Sequence, residues 1–224
     1  MWVKICGNTR LEDCLLAAEL GADAVGFVFA PGKRTVTAEQ VAAITAHLPP
    51  ALEKIGVFTT QDARAIATAA EQAGLSGIQL HGAPDRALLE RLKAITTCRL
   101  VQVLHWHTDV PTQQQRDSFA SQLEALNTWE LAEAVLVDSQ TATARGGTGT
   151  AFDWETVAPL LRASRTPVIA AGGLRPETVA DAITALDPRG VDVSSGVESA
   201  PGLKDSHKVA AFIQGARVKA ARPR

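Results

Sequence analysis

The chain has 224 residues, a length that suits one large α/β domain or two small ones and is ample for a buried core. With 46% apolar residues, 21% charged residues and a formal net charge of -2, it lacks the electrostatic footprint of a protein that binds nucleic acid or a membrane surface. Aromatic residues make up only 4%, which argues against a base-stacking surface, and no apolar run approaches the ~18 residues of a membrane span.

The first residues show no signal-peptide pattern, because no long apolar stretch follows Lys4. Three cysteines, Cys6, Cys14 and Cys98, are odd in number, widely spaced and without any CxxC pair. Reduced thiols in a cytoplasmic protein are the interpretation that fits this usage best.

Eight short β-rich runs follow one another along the chain, separated by longer stretches with helical periodicity. The predicted strands are residues 2–6, 24–29, 54–58, 77–80, 100–104, 134–138, 167–170 and 190–194. Several of them, above all residues 24–29, are apolar on both faces, which is typical of a parallel sheet covered by helices.

Local signals mark the ends of several helices. Thr9 followed by Glu12 predicts a capping box at the start of a helix over residues 11–20. Another helix is predicted over residues 175–186. The least regular span, residues 105–128, is interpreted as an enlarged loop followed by the fifth helix.

Eight β/α units of about 28 residues each fit the size of a (β/α)8 TIM barrel. The competing fold, a doubly wound open sheet, usually has about five or six strands and a glycine fingerprint after the first. Here the glycine-rich turns come late, which favours the barrel. We therefore predict an α/β protein with a single (β/α)8 barrel over residues 1–215 and a basic, frayed tail over residues 216–224.

In such a barrel, the residues that end the strands converge on one mouth, where active sites lie. Cys6 ends the first predicted strand, Asp138 ends the sixth, and His81 follows the fourth. A thiol there can be a nucleophile, a base or a metal ligand, and its alternative interpretation is a small buried hydrophobe. Asp138 ends an apolar strand, so its carboxyl needs partners for its charge or holds a proton. His81 is either a structural or a catalytic histidine.

Two cations near this mouth leave alternatives open. Lys4 shares a face with Cys6, so its ammonium either favours the thiolate or pairs with a barrel carboxylate such as Asp192. Arg34 lies in the loop after the second strand, where it is either solvated or clamps a carboxylate through two parallel hydrogen bonds.

The glycine-rich turns after the seventh and eighth strands predict a phosphate site. They can present backbone N–H groups to an anion, a helix start would add its positive dipole, and TIM barrels commonly bind phosphate at these loops. The residues of this predicted cradle are Gly172, Gly173, Ser194, Ser195 and Gly196.

A third glycine-rich turn follows the sixth strand and lacks the lysine of a Walker loop. We interpret it as a flexible loop that covers the ligand. It consists of Gly146, Gly147, Thr148 and Gly149.

Taken together, these residues resemble the phosphoribosylanthranilate isomerase family. The matching stretches occur in family order over nearly the whole chain: Val3-Lys4-Ile5-Cys6-Gly7, Gly26-Phe27-Val28-Phe29 through Lys33-Arg34, Gly56-Val57-Phe58, Ile78-Gln79-Leu80-His81-Gly82, Val137-Asp138-Ser139, Gly146-Gly147-Thr148-Gly149 with Phe152-Asp153-Trp154, Ala171-Gly172-Gly173-Leu174, Asp192-Val193-Ser194-Ser195-Gly196-Val197-Glu198 and Gly202-Leu203-Lys204-Asp205. Each stretch alone is a weak signal, whereas the combination is specific.

The resemblance implies an Amadori rearrangement of N-(5-phosphoribosyl)anthranilate in tryptophan biosynthesis, without a metal or an organic cofactor. Carried to this chain, it makes Asp138 the general acid that opens the ribose ring and Cys6 the general base that removes the C2 proton. It makes Arg34 the partner of the anthranilate carboxylate, with His81 and Asp192 as supporting site residues. The glycine and serine turns would hold the phosphate.

Two other functions are compatible with a barrel of this kind. A related sugar-phosphate barrel of histidine biosynthesis performs the same rearrangement, but it resembles two fused halves and uses two aspartates, whereas this chain has Cys6 at the first strand. A phosphosugar-binding barrel without activity would need neither Cys6 nor Asp138. We expect a small phosphosugar ligand, no nucleic-acid or membrane partner, and a monomer or homodimer.

Overall fold

The computed structural model describes residues 1–107, 113–140 and 154–220. Eight parallel strands close into a barrel in sequence order, with β8 pairing with β1. The strands are β1 (Trp2–Ile5), β2 (Ala24–Val28), β3 (Glu53–Phe58), β4 (Gly77–Leu80), β5 (Arg99–His107), β6 (Ala134–Gln140), β7 (Val168–Ala171) and β8 (Gly190–Val193). This closed parallel barrel confirms the predicted fold class.

A helix follows each strand and packs on the outside of the barrel. The helices are α1 (Leu11–Glu19), α2 (Ala38–Thr45), α3 (Ala63–Gln72), α4 (Arg86–Ile95), α5 (Gln113–Trp129), α6 (Trp154–Arg162), α7 (Val179–Leu186) and α8 (Ser206–Ala220). A short 3₁₀ helix (Ser195–Val197) and a small hairpin of β9 (Glu198–Ala200) and β10 (Leu203–Lys204) lie between β8 and α8. No helix in the described ranges is long and apolar enough to cross a membrane.

Strand β5 extends beyond its predicted end at residue 104. Its ladder with β6 continues through the pairs of His105 with Asp138 and of His107 with Gln140, which satisfies the backbone of these residues. The enlarged loop predicted from residue 105 therefore begins three residues later, and residues 108–112 of it lie outside the described residues.

The predicted capping box at Thr9 is wrong. The N-cap of α1 is Arg10, which makes no capping hydrogen bond, and the Thr9 hydroxyl instead donates to the Gly202 carbonyl at 2.9 Å. This bond ties the loop after β1 to the hairpin of β9 and β10. A complete capping box is present at α2, between Thr37 and Gln40.

The C-terminal tail predicted from residue 216 is helical in its first five residues, because α8 continues through Ala220. Ala216 is fully buried, and the Arg217 guanidinium pairs with Asp23 at 2.7 Å and donates to the Met1 carbonyl. These contacts hold the last turns of α8 against the amino end of the barrel. Residues 221–224 lie outside the described residues.

The core has two parts, on the two faces of the sheet. The larger part packs the helices against outward-facing strand residues such as Val3, Ile5 and Phe27. The smaller part fills the barrel and consists of alternate residues of three neighbouring strands: Val101, Val103, Ala134, Leu136, Ile169 and Ala171. The same alternation, continued to the ends of the strands, determines which side chains face the mouth.

Candidate active site

A cavity of about 640 Å³ opens at the carboxyl ends of the barrel strands. The next inward position after Val103 is His105, and the next after Leu136 is Asp138, so the pattern that fills the barrel also supplies the cavity lining. A volume of this size suits a small organic ligand.

The cavity brings together the site residues predicted on described parts of the chain. Its lining contains Cys6, Arg34, His81, Asp138, Asp192, Gly172, Gly173, Ser194, Ser195 and Gly196. Cys6 follows β1 and Asp138 belongs to β6, two strands that are separated by β7 and β8, so these residues face each other across the cavity. The predicted covering loop of Gly146, Gly147, Thr148 and Gly149 lies outside the described residues.

One side of the cavity is lined by Cys6 and Asp192 and, together with the buried Lys4 that pairs with Asp192, is called the thiol wall. The Lys4 ammonium is almost fully buried and donates to Asp192 Oδ2 at 3.0 Å and to Gln79 Oε1 at 2.7 Å. A Cβ added to Gly26 would lie 2.6 Å from Cys6 Sγ and 2.8 Å from Lys4 Cε, so both side chains lie over this glycine. Lys4 therefore pairs with Asp192 and also lies beside the thiol, which combines the two predicted alternatives.

Burial and nearby charges set the protonation of the thiol wall. Burial raises the pKa of the Cys6 thiol above its ordinary value, and the ammonium groups of Lys4 and Lys204 offset that rise only in part. Burial opposes the charge of Lys4, but the Asp192 carboxylate and Cys6 outweigh it, so the pKa of Lys4 is raised. Cys6 is therefore mainly a thiol at neutral pH, and Lys4 is charged.

Arg34 clamps a carboxylate through two parallel hydrogen bonds, as one of the two predicted alternatives has it, and the carboxylate is that of Glu198 in this chain. The guanidinium Nε and Nη2 donate to the two carboxylate oxygens of Glu198 at 2.7 and 2.5 Å, and this bidentate contact raises the pKa of Arg34. Lys204, also buried, donates to Glu198 Oε1 at 3.0 Å and to the Cys6 carbonyl at 2.5 Å. Burial opposes the charge of Glu198, but its two cationic partners outweigh it and lower its pKa.

Sequence reasoning did not assign a role to Glu198 or Lys204, although both lie in stretches that match the family. Arg34 and Cys6, which they contact, are far away in sequence, and the hairpin of β9 and β10 brings Glu198 and Lys204 to these two lining residues. Glu198 and Lys204 thereby connect the Arg34 guanidinium to the backbone carbonyl of Cys6.

The opposite side of the cavity, formed by His81, His105 and Asp138, is called the acid wall. His81 Nε2 lies 3.6 Å and His105 Nδ1 3.9 Å from Asp138 Oδ2, and the centroids of the two imidazole rings are 4.7 Å apart. Contact with the carboxylate raises the pKa of His81, although burial opposes it. These side chains are 22–30% exposed, whereas Lys4 on the thiol wall is only 1% exposed.

His105 is a residue that the sequence prediction missed. Its position two residues after the inward-facing Val103 was the signal that could have identified it. The donor atoms of His81, His105 and Asp138 all lie within 4.8 Å of one another, so this wall has the residue types and spacing to hold a metal ion.

The predicted phosphate cradle forms another part of the cavity lining. Gly172 and Gly173 have φ angles of 82° and 65°, a backbone conformation that favours glycine. A Cβ at Gly196 would lie 1.9 Å from the Leu174 carbonyl oxygen, so the loops after β7 and β8 pack too closely for any other residue there. The short 3₁₀ helix begins at Ser195, beside these glycines.

The helix start predicted beside Gly172 and Gly173 lies further along the chain. α7 begins at Val179, because residues 175–178 form a turn in which the Arg175 N–H bonds to Thr178 Oγ1 at 3.1 Å. The 3₁₀ helix, rather than α7, is thus the helical element next to the cradle, as in the phosphate sites common to TIM barrels.

The fold and the cavity define a (β/α)8 barrel with a polar ligand site at the carboxyl ends of its strands, the arrangement of TIM-barrel enzymes. Residues 3–215 match the family model described as N-(5'phosphoribosyl)anthranilate (PRA) isomerase. The N-(5'-phosphoribosyl)anthranilate isomerase of Pelobacter propionicus is 40% identical over 218 residues, which cover 96% of this chain and 95% of that protein.

Two solved structures agree with this match. The crystal structure of phosphoribosyl anthranilate isomerase from Thermotoga maritima superposes with a TM-score of 0.84 at 36% identity, covering 97% of this chain and 99% of that one. A phosphoribosyl anthranilate isomerase in complex with reduced 1-(o-carboxyphenylamino)-1-deoxyribulose 5-phosphate gives 0.80 at 34% identity, with the same coverage. The chain therefore belongs to the N-(5'-phosphoribosyl)anthranilate isomerase family of tryptophan biosynthesis, and it is an isomerase.

Proposed function

We propose that this isomerase converts N-(5-phosphoribosyl)anthranilate into 1-(2-carboxyphenylamino)-1-deoxyribulose 5-phosphate by an Amadori rearrangement, with Asp138 as general acid and Cys6 as general base. The observation that carries the proposal is the placement of these two residues on opposite walls of one cavity. An aldose-to-ketose rearrangement needs a proton delivered at one point of the sugar and removed at another.

In the first step, Asp138 donates its proton to the ribose ring oxygen, the bond from that oxygen to the anomeric carbon breaks, and the open-chain Schiff base forms. The position of Asp138 supports this role, because its carboxyl borders the cavity and is only partly exposed. His81 and His105 contact the same carboxylate oxygen and limit its orientations.

In the second step, the Cys6 thiolate removes the proton from C2 of the sugar, and the resulting enolamine tautomerises to the ketone. A raised pKa makes this thiolate a strong base but a minor species at neutral pH. The ammonium groups of Lys4 and Lys204 increase the fraction of Cys6 that is thiolate, because each of them stabilises the ionised sulfur. Asp192 acts on the base indirectly by holding Lys4 in place.

Other lining residues would hold the two anionic ends of the substrate. Glu198 binds Arg34 through Nε and Nη2, and the guanidinium has a further edge of donors for the anthranilate carboxylate. Gly172, Gly173 and the residues 194–196 would bind the phosphate through backbone N–H groups and serine hydroxyls. Within the described part of the chain, buried Asp192 Oδ1 makes no hydrogen bond, so it is suited to accept one from a sugar hydroxyl.

The direct test is an anthranilate-fluorescence assay with N-(5-phosphoribosyl)anthranilate as the substrate. We expect a time-dependent decay of the fluorescence that depends on the enzyme concentration, and a much slower decay with Cys6→Ser or Asp138→Asn. No decay with the unmodified chain would contradict the proposal and favour a barrel that only binds phosphosugars. Whether the chain is a monomer or a homodimer stays a prediction.

A further inference from the structure

We propose that His81, His105 and Asp138 form a binding site for a divalent transition-metal cation of the zinc type, and that its occupancy inhibits the isomerase. The three side chains come from the carboxyl ends of adjacent strands and point their donor atoms toward one another at the cavity mouth. The inhibitory part of this inference rests on the proposed function, whereas metal binding by the acid wall does not.

The barrel framework places the three donors before any ion arrives. His105 and Asp138 are paired residues in the ladder between β5 and β6. His81 follows β4, and its backbone N–H is held by the Phe58 carbonyl at 2.8 Å. Sites whose ligands extend from rigid strands keep their geometry better than sites on loops.

The separations are close to those that zinc requires. Bond lengths of about 2.0–2.2 Å to nitrogen and oxygen place two donors of a tetrahedral site roughly 3.3–3.5 Å apart. Here the two histidine nitrogens lie 3.6 and 3.9 Å from Asp138 Oδ2, and all three atoms fall within 4.8 Å. Small side-chain rotations would close the remaining gaps.

The donor set selects the class of cation. Two imidazoles and one carboxylate suit Zn²⁺, Co²⁺ and Ni²⁺, whereas Mg²⁺ prefers oxygen ligands and water. All three side chains are partly exposed, so an ion can reach them from the solvent, and three protein ligands leave a coordination position for water.

An ion at this site would act as an inhibitor, not as a cofactor. Coordination would occupy the Asp138 carboxyl, which is the proposed proton donor, and would place a cation in the space that the ribose ring needs. Inhibition should therefore be competitive with the phosphosugar and reversed by a chelator.

Binding is measured on the full chain after treatment with EDTA, by competition for Zn²⁺ with a coloured chelator. We expect the unmodified chain to bind one Zn²⁺. His105→Leu should lower the affinity for Zn²⁺ at least about tenfold, because losing even a residue that hydrogen-bonds to a metal ligand costs about 10–100-fold in affinity. His47→Leu is the matched control, because His47 is an exposed histidine outside the cavity, and it should bind as the unmodified chain does. Equal affinity in the unmodified chain and in folded His105→Leu would overturn the site.

The Cys6 thiol also lines the cavity and can bind a metal as thiolate, so the experiment must separate it from the acid wall. Cys6→Ser should retain Zn²⁺ binding, and Co²⁺ bound to the unmodified chain should show visible bands without the near-ultraviolet band of thiolate coordination. Loss of binding in Cys6→Ser, or a thiolate band, would contradict the proposal. The Co²⁺ spectrum also tests the site if a His105 variant does not fold.

Turnover under Zn²⁺ separates this inference from the proposed function. We expect Zn²⁺ to raise the apparent KM of the unmodified chain and EDTA to restore it. In His105→Leu, the Zn²⁺ concentration that inhibits, measured against that variant's own metal-free rate, should be at least about tenfold higher. A chain that binds Zn²⁺ through His105 but has no isomerase activity would contradict the proposed function and leave the metal site standing. Activity that Zn²⁺ does not affect would overturn the inhibition.

Discussion

On the thiol wall, Cys6 lies over the buried ion pair of Lys4 and Asp192, whereas on the acid wall Asp138 is partly exposed between two imidazoles. The thiol wall is largely buried and controls its reactive group through fixed charges. The acid wall is more exposed and controls its reactive group through contacts with neighbouring side chains. The comparison indicates that one barrel mouth can hold a strong base and a proton donor because the two groups have different surroundings.

The largest expected effect is the loss of either reactive group. Cys6→Ser and Asp138→Asn should each lower kcat by about 10²–10⁴-fold, because positioned acids and bases contribute rate factors of this order. Product affinity should stay largely intact, since neither side chain is assigned to hold an anionic end of the ligand. Steady-state kinetics and a product-binding titration check this prediction, and near-normal turnover in either variant would remove that residue from the mechanism.

Removal of the Arg34 guanidinium, which also lines the cavity, should have the next largest effect. Arg34→Ala should raise KM by roughly 10–100-fold, the equivalent of about 1.5–3 kcal/mol for a hydrogen bond to a charged group, with a smaller change in kcat. Glu198→Gln keeps the size of the side chain but removes its charge, so it should raise KM less than Arg34→Ala does. An unchanged Michaelis constant in Arg34→Ala would exclude it as the carboxylate clamp.

The buried charges of the thiol wall should shift the pH dependence in opposite directions. The basic form of Cys6 is populated above its raised pKa, so kcat/KM should increase as the pH rises above neutrality. Lys4 lowers the pKa of Cys6 and Asp192 raises it, so Lys4→Met should move this increase to higher pH and Asp192→Asn to lower pH. Shifts in the same direction, or no shift in a folded Lys4→Met, would exclude tuning of the thiol by these charges.

The smallest expected effect is a difference in the rates at which the three thiols are alkylated. Cys98 is partly exposed, Cys6 is 7% exposed with a raised pKa, and Cys14 is fully buried with a pKa raised to about 12. Alkylation at neutral pH, followed by peptide mass spectrometry, should therefore label Cys98 first, Cys6 more slowly and Cys14 last. Labelling of Cys6 before Cys98 would contradict the description of the thiol wall as largely buried.

Much of the fold and part of the site could be predicted from local sequence. Eight units of an apolar strand and a helix identified the barrel, and the ends of the predicted strands placed Cys6 and Asp138 at the mouth. His105 also lies at the end of a strand and was missed only because β5 was predicted to end at residue 104.

The remaining features depend on residues that are distant in sequence. The pairs of Arg34 with Glu198 and of Arg217 with Asp23 join opposite ends of the chain, so no local pattern indicates them. Thr9 had the sequence of a capping box, but its hydroxyl donates to the Gly202 carbonyl and the N-cap of α1 is the next residue, Arg10. In each case tertiary contacts decided between structures that the local sequence allowed.

The central claim, that Asp138 opens the ring and Cys6 then removes the C2 proton, is tested most directly by kinetic isotope effects with a substrate deuterated at C2 of the ribosyl group. If the two walls act in this order, slowing of proton removal in Cys6→Ser should increase the isotope effect on kcat, and slowing of ring opening in Asp138→Asn should suppress it. An isotope effect that is absent in Cys6→Ser, or larger in Asp138→Asn, would contradict the account.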